Sequence, residues 1–164
     1  MKLSLPFNVI SALILISFQP QQAEAVPTNK QSFEQWCLQK NSLPVKTRKT
    51  VELLLDKAST QRCKLADLRL NQLSKLFLTD NQITYITPIA SLINLTYLDL
   101  KDNQISDLKP LESLANLSVI SIEGNQISDV KPLAVLTNLT QVNLGQNRIS
   151  KKVCPVQPES ICSF

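Results

Sequence analysis

No histidine occurs in the 164 residues of this chain. A catalytic cysteine needs a nearby base, and histidine cannot supply one here. The four cysteines (Cys37, Cys63, Cys154 and Cys162) include no C-x-x-C pair, so zinc-ligand spacing is missing as well. Neither a metal nor any other cofactor is expected. Aromatic residues make up only 5% of the chain and are not interleaved with the basic ones. Base-stacking platforms are therefore lacking, and the net charge of +4 does not point to nucleic acid. Glycine is almost absent, with two in all. The longest apolar stretch, Leu3 to Phe18, is interrupted by Pro6 and Asn8. At about 16 residues it is short for a membrane span.

That stretch reads instead as an export signal. Met1-Lys2 gives a positive start, the apolar run follows, and Ala23-Glu24-Ala25 fits the small-x-small cleavage rule, leaving Val26 as the mature N-terminus. The alternative is an uncleaved N-terminal anchor. No cysteine sits near the end of the run, which argues against a lipoprotein, and no twin arginine is present, which implies the general secretory route. Cleavage removes Lys2 and Glu24 together, so the net charge of +4 is kept. The positive residues Lys40, Lys46, Arg48, Lys49, Lys57, Arg62 and Lys64 precede the regular part of the chain and read as solvated helix faces.

What the chain has in abundance is one phrase. It reads LSKLFLTDNQI from Leu73, LTYLDLKDNQI from Leu95, LSVISIEGNQI from Leu117 and LTQVNLGQNRI from Leu139. The closing asparagines Asn81, Asn103, Asn125 and Asn147 are 22 residues apart with no insertion. A fixed period of this kind marks a solenoid. Leu98 and Leu100 alternate with Tyr97, Asp99 and Lys101, which places the leucines inside and the others outside a short strand. An asparagine amide can satisfy the backbone groups that the following inward turn leaves unpaired, so the four should form a buried polar ladder. Ile105, Leu108 and Leu111 line the back wall, and Pro88, Pro110 and Pro132 recur there, which disfavours long helices and predicts 3₁₀ pieces or turns.

The pattern L-x-x-L-x-L-x-x-N-x-I resembles the leucine-rich repeat, in the short bacterial class of the internalins that is also seen in phosphatase-regulating repeat proteins. The resemblance implies an α/β fold: a right-handed solenoid of parallel β coils with a 3₁₀ or turn convex side and a helical N-terminal cap. The expected divisions are a signal peptide over 1–25, the cap over 26–69, about four coils over 70–150 and a C-terminal cap over 151–164. One coil alone buries too little to fold, so stacking and end covers are required.

The cysteines flank the repeats, two before and two after. Four cysteines allow three connectivities. The ends of a four-coil stack lie about 15–20 Å apart, whereas bridged Cα atoms lie within about 7 Å. Cys37–Cys63 and Cys154–Cys162 are therefore the expected pairs, and export makes oxidation plausible. Residues 26–31 read as a disordered start. Ser32 to Gln35 fits a capping box, opening a helix that turns Trp36 and Cys37 inward. A second helix is expected over 47–58 with Val51, Leu54, Leu55 and Ala58 as its apolar stripe. A third, over 62–68, should face Leu65 and Leu68 inward. The proline-rich tail should seal the last coil and its open strand edge. The cap helices and the C-P-x-x-P-x-x-x-C tail also resemble small exported bacterial repeat proteins.

Outward strand residues form a grid: Lys75, Tyr97, Val119 and Gln141; Phe77, Asp99, Ser121 and Asn143; Thr79, Lys101, Glu123 and Gly145. Partners of leucine-rich repeats usually meet this concave face, and the resemblance implies the same here. Phe77, Tyr97 and Val119 form a diagonal apolar patch of the kind that anchors interfaces. Lys101 and Glu123 should pair across adjacent strands. Asp99, Asp102 and Glu123 could be read as catalytic carboxylates or a calcium site, but a shallow wet sheet has nothing to raise a carboxylate pKa. No catalytic residue is assigned. Asn94, Asn116 and Asn138 head formal glycosylation sequons that the repeat itself generates.

The reading is an exported, secreted or envelope-located binding module without enzymatic activity. Its partner is a protein or peptide, and it meets a membrane only during export. Four coils offer a few hundred Å², against ~800 Å² per side in a standard interface. Modest affinity, use of the flanks, or self-association follows. The alternatives are an adhesin-like glycan binder and an intracellular phosphatase-type regulator. Mass analysis of the extracytoplasmic protein should find Val26 at its N-terminus; a cytosolic chain starting at Met1 would refute export.

Overall fold

The computed structural model describes residues 31–164. The expected signal peptide, its cleavage point and most of the stretch over 26–31 lie outside the described residues. Among those described, no helix is long and apolar enough to cross a membrane.

Three helices open the structure. Helix α1 (Phe33–Leu38) is started by Ser32, whose hydroxyl accepts from the Gln35 N–H while the Gln35 side chain accepts from the Ser32 N–H. These reciprocal bonds satisfy two of the donors that a helix start leaves open. A 3₁₀ turn (Lys40–Ser42) follows. Helix α2 (Val45–Lys57) starts two residues earlier than the sequence pattern suggests, because the Pro44 carbonyl already accepts from the Arg48 N–H at 2.9 Å. Its buried stripe contains Val51, Leu54 and Leu55, with Ala58 just past its end.

Helix α3 (Cys63–Leu70) corrects one expectation. Leu68 is 54% exposed and Leu65 only half-buried, while Ala66 and Leu70 are fully buried. Cys63, Ala66 and Leu70 fall on one face at i, i+3 and i+7. The bridge from Cys63 to Cys37 in α1 turns that face inward, and Leu68 is carried outward.

The strands are β1 (Lys75–Phe77), β2 (Tyr97–Asp99), β3 (Val119–Ser121), β4 (Gln141–Asn143) and β5 (Cys162–Ser163). They form one parallel sheet in chain order. Register is strict: Leu76, Leu98, Ile120 and Val142 are aligned and buried. The back of each coil is a 3₁₀ turn (Thr87–Ser91, Lys109–Ser113, Lys131–Val135) with Pro88, Pro110 or Pro132 in its first turn. Proline fits there because its fixed φ suits a helical start and no intrahelical donor is lost.

Asn103 shows how neighbouring coils are joined. Its Oδ1 accepts from the N–H groups of Asn81 and Ile83 in the preceding coil, at 3.1 and 2.9 Å. Its Nδ2 donates to the carbonyls of Leu78, Leu100 and Lys101. Asn125 and Asn147 repeat this reach one coil further on. Asn81 has no earlier coil, and its amide donates only to the Thr79 carbonyl. Only Asn103 and Asn125 are buried; the end members Asn81 and Asn147 are half-buried. The residue before each ladder asparagine (Asp80, Asp102, Gly124 and Gln146) has positive φ, between 53° and 68°. At Gly124 an added Cβ would also collide with the Asp102 carboxylate.

The core runs unbroken from Phe33, Trp36 and Leu54 through the coils to Leu144, Cys154 and Val156. Helices α1 and α2 pack on the first convex turn, and the Thr50 hydroxyl donates to the Tyr85 carbonyl at 2.6 Å. At the other end, β5 adds a short strand beyond the four expected, with the Leu144 N–H donating to the Ser163 carbonyl at 2.7 Å. Cys154 and Cys162 are bridged across a separation of 8, and Cys37 and Cys63 across 26. Loop closure of those lengths stabilises by about 2.5 and about 3.5 kcal/mol.

Asn125→Ala would leave several buried backbone groups without partners, at about 1–3 kcal/mol each. Urea unfolding should therefore show a loss of at least ~3 kcal/mol, against ~1 kcal/mol or less for Asn81→Ala, which breaks one bond. Equal losses at the two positions would refute the ladder's coil-bridging role.

Candidate concave interface

The strand alternation turns every second side chain of β1 to β4 onto one open face. The burial pattern is exposed–buried–exposed in β1 and half-buried–buried–half-buried in β2 and β3. In β4 Gln141 is exposed and Asn143 half-buried. Phe77 is 51% exposed. Its ring lies 5.2 Å from that of Tyr97, with the planes tilted by 40°. Tyr97 and Val119 are directly opposed across β2 and β3. Phe77, Tyr97 and Val119 thus form a continuous apolar strip at the N-terminal end of the sheet.

The rest of the face is a polar network. Lys101 Nζ lies 3.4 Å from Glu123 Oε2. The same carboxylate accepts from Asn143 Nδ2 at 2.8 Å and from Gln146 Nε2 at 3.5 Å. Asn143 Oδ1 in turn accepts from the Gly145 N–H and from the Ser163 hydroxyl of β5. Asp99 Oδ1 accepts from the Lys101 N–H at 3.0 Å. Ser121 is half-buried between these groups. The structure therefore brings Glu123, Lys101 and Asn143 together and sets them beside, not within, the apolar strip. Of the carboxylates considered for catalysis or calcium, Asp99 and Glu123 are engaged by these partners. Among the described residues, no group of three or more His, Cys, Asp or Glu side chains could hold a metal.

Two further ladders went unread in the sequence. The side chains of Asn94, Asn116 and Asn138 donate to the carbonyls of Asn71, Ile93 and Ala115, each in the preceding coil. The hydroxyls of Thr96, Ser118 and Thr140 donate to the carbonyls of Ser74, Thr96 and Ser118. Both members of each sequon are thus coil-to-coil fasteners. Their 22-residue recurrence was the available signal. Away from the concave face, Tyr85 is 51% exposed and borders a depression of about 240 Å³ with Thr84, Ser106, Asp107 and Pro110.

Lys101 and Glu123 keep side-chain exposures of 40% and 21%, so their pairing is worth under about 1 kcal/mol. Lys101→Met should shift the unfolding free energy by no more than that, with the difference shrinking in high salt. A loss above about 2 kcal/mol would show that the pair holds the sheet together rather than dressing its surface.

Comparison with known proteins agrees with this architecture. The family model described as leucine-rich repeats (2 copies) matches residues 71–113. A crystal structure of an internalin (inlF) from Listeria monocytogenes superposes with a TM-score of 0.55 and 31% identity, covering 63% of this chain and 31% of that one. Internalin C2 (inlC2) from the same organism superposes with a TM-score of 0.50 and 42% identity over 58% of this chain and 43% of that one. This chain thus spans less than half of either protein's length. No curated sequence matched. Repeats of this type are generally protein-interaction modules. With its parallel coils and asparagine ladder, the chain has the leucine-rich repeat fold, and it is similar to the short, internalin-like class.

Proposed function

We infer that this protein is an exported, non-enzymatic binding module that holds a protein or peptide partner on its concave sheet. The observation that carries the reading is the Phe77–Tyr97 ring pair, 5.2 Å between centroids, with Phe77 half-exposed and Tyr97 half-buried on a largely polar face. Aromatic side chains lose little conformational freedom on binding and offer large contact areas, which makes such a pair a natural anchor. Lys75, Asp99, Lys101, Ser121, Glu123 and Asn143 would form its polar rim, excluding water without supplying much energy. Two disulfides, one in each cap, suit an oxidising compartment and disfavour the intracellular phosphatase-regulator alternative. The 40° tilt between the two rings offers a sugar no common flat platform, which disfavours a glycan partner.

The sheet is rigid because its strands are pinned by ladders on both sides of each turn. Little ordering cost is therefore added on binding. The concave surface is small, so a partner must also touch the flanks. Crosslinking capture with the purified protein tests the reading. Tyr97→Glu should abolish capture of the partners seen with the unmodified chain, with the fold retained by circular dichroism. Equal capture by both would refute the concave patch as the binding surface.

A further inference from the structure

A parallel strand bonds to each neighbour through alternate residues, so a strand at the edge keeps one set of peptide groups for the outside. In and around β1, the set turned to β2 is the even-numbered one. The Ser74 carbonyl accepts from the Tyr97 N–H at 3.0 Å, and the N–H groups of Leu78 and Asp80 donate to the carbonyls of Asp99 and Lys101 at 2.8 and 3.0 Å. Lys75 and Phe77 therefore turn their N–H and carbonyl groups away from the sheet. Among the described residues no strand lies beyond β1, and outside the β1–β2 ladder those four groups form no hydrogen bond.

The two edges of the sheet are finished differently. Beyond β4, the tail lays down β5 and is fastened by Cys154–Cys162. At the other end, α1 and α2 pack on the convex turn Thr87–Ser91, and the outward residues of β1 remain exposed where those of β2 and β3 are half-buried. The exposed face of this open edge also carries chemistry. Lys75 and Phe77 stand two residues apart on the concave side. Lys75 has no carboxylate partner among the described residues, and Phe77 leans on Tyr97.

We propose that the free edge of β1 is a strand-addition site for an extended peptide segment of the partner. The segment carries an acidic residue beside Lys75 and an aromatic or aliphatic residue beside Phe77, two positions apart. Main-chain bonds from Lys75 and Phe77 supply attachment, and the two side chains supply selectivity. The spacing follows from the strand repeat, which returns to the same face every second residue. This rests on the concave-face reading for where the partner lies and adds how it is held. At the other end of the sheet the edge strand is β5, whose two residues are too few to offer an equivalent.

The test uses the purified, isotopically labelled protein and a short acetylated, amidated, strand-forming peptide with Glu-Thr-Phe at its centre. Saturating peptide should slow hydrogen exchange at the Lys75 and Phe77 amides by roughly tenfold or more while leaving Leu78 unchanged. N-methylating the peptide amides that face the edge should abolish binding, and methylating the alternate set should not. A Lys-Thr-Phe peptide should bind less tightly, and the Lys75→Glu protein should restore it. Unchanged exchange at Lys75 and Phe77, equal effects of the two methylation sets, or occupation of the edge by a second copy of this chain would overturn the proposal. If the peptide fails while Tyr97→Glu still abolishes partner capture, strand addition falls and the concave-face reading stands.

Discussion

A carboxamide offers two donors and an acceptor oxygen with two lone pairs on one short, flat group. Asn103 uses all of this capacity at once, accepting from two N–H groups of the coil before it and donating to carbonyls of both that coil and its own. A tight inward turn in a stack strands backbone groups where water cannot reach, and each would cost about 1–3 kcal/mol if left unpaired. Aspartate has no donors to give, and glutamine's longer stem would overshoot the turn. Because each asparagine must meet the turn of the coil before it, the spacing is held at 22 residues without insertion. The left-handed residue ahead of it belongs to the same turn, which explains why Asp80, Asp102, Gly124 and Gln146 share one backbone conformation despite their different chemistry.

Stacking solves the interior and creates two ends. The N-terminal end is covered by helices whose orientation is set by Cys37–Cys63 and whose buried Phe33, Trp36 and Leu54 extend the same core. At the C-terminal end Cys154 and Val156 are buried beneath a tail that supplies one more strand. Among the described residues, both covers leave Lys75, Phe77 and Gln141 exposed on the concave face. Charge matters less to this architecture: the Lys101–Glu123 pair contributes at most about 1 kcal/mol, whereas losing one buried asparagine removes several times that. What the concave face presents is therefore a fixed surface, with its apolar strip on β1 to β3 and its polar network on β2 to β5.

The sequence displays the features that recur. Leucine alternation, the asparagine at each turn, the proline on each back wall and the cysteines outside the repeats each followed from a spacing. Features that occur once, or are too short for a spacing to decide, were hidden. Helix α3 has eight residues, so Leu65 and Leu68 matched an inward stripe about as well as Ala66 and Leu70 did; the bridge to α1 chose between them. The two residues of β5 carry no alternation at all. The Asn94 and Thr96 ladders did recur, but their match to a modification motif offered a competing account of the same letters. On the concave face, alternation identified the outward residues without ranking them. Phe77 is the most exposed apolar member because its strand is the first of the sheet, a consequence of topology rather than of the local pattern.

Native-state hydrogen exchange at Ile83, Ile105 and Ile127 measures the coil-to-coil bridging most directly. The amides of these three residues donate to the side-chain oxygens of Asn103, Asn125 and Asn147, each one coil ahead. If those bonds bind the coils into one unit, all three amides should exchange as slowly as the amides of Leu100 and Ile122, which lie just past β2 and β3 and bond to the carbonyls of the next strands, through global unfolding alone. Exchange at the rate of open turns, with the Leu100 and Ile122 amides still protected, would mean that the coils are held by their aliphatic lining and that the asparagines merely accompany it.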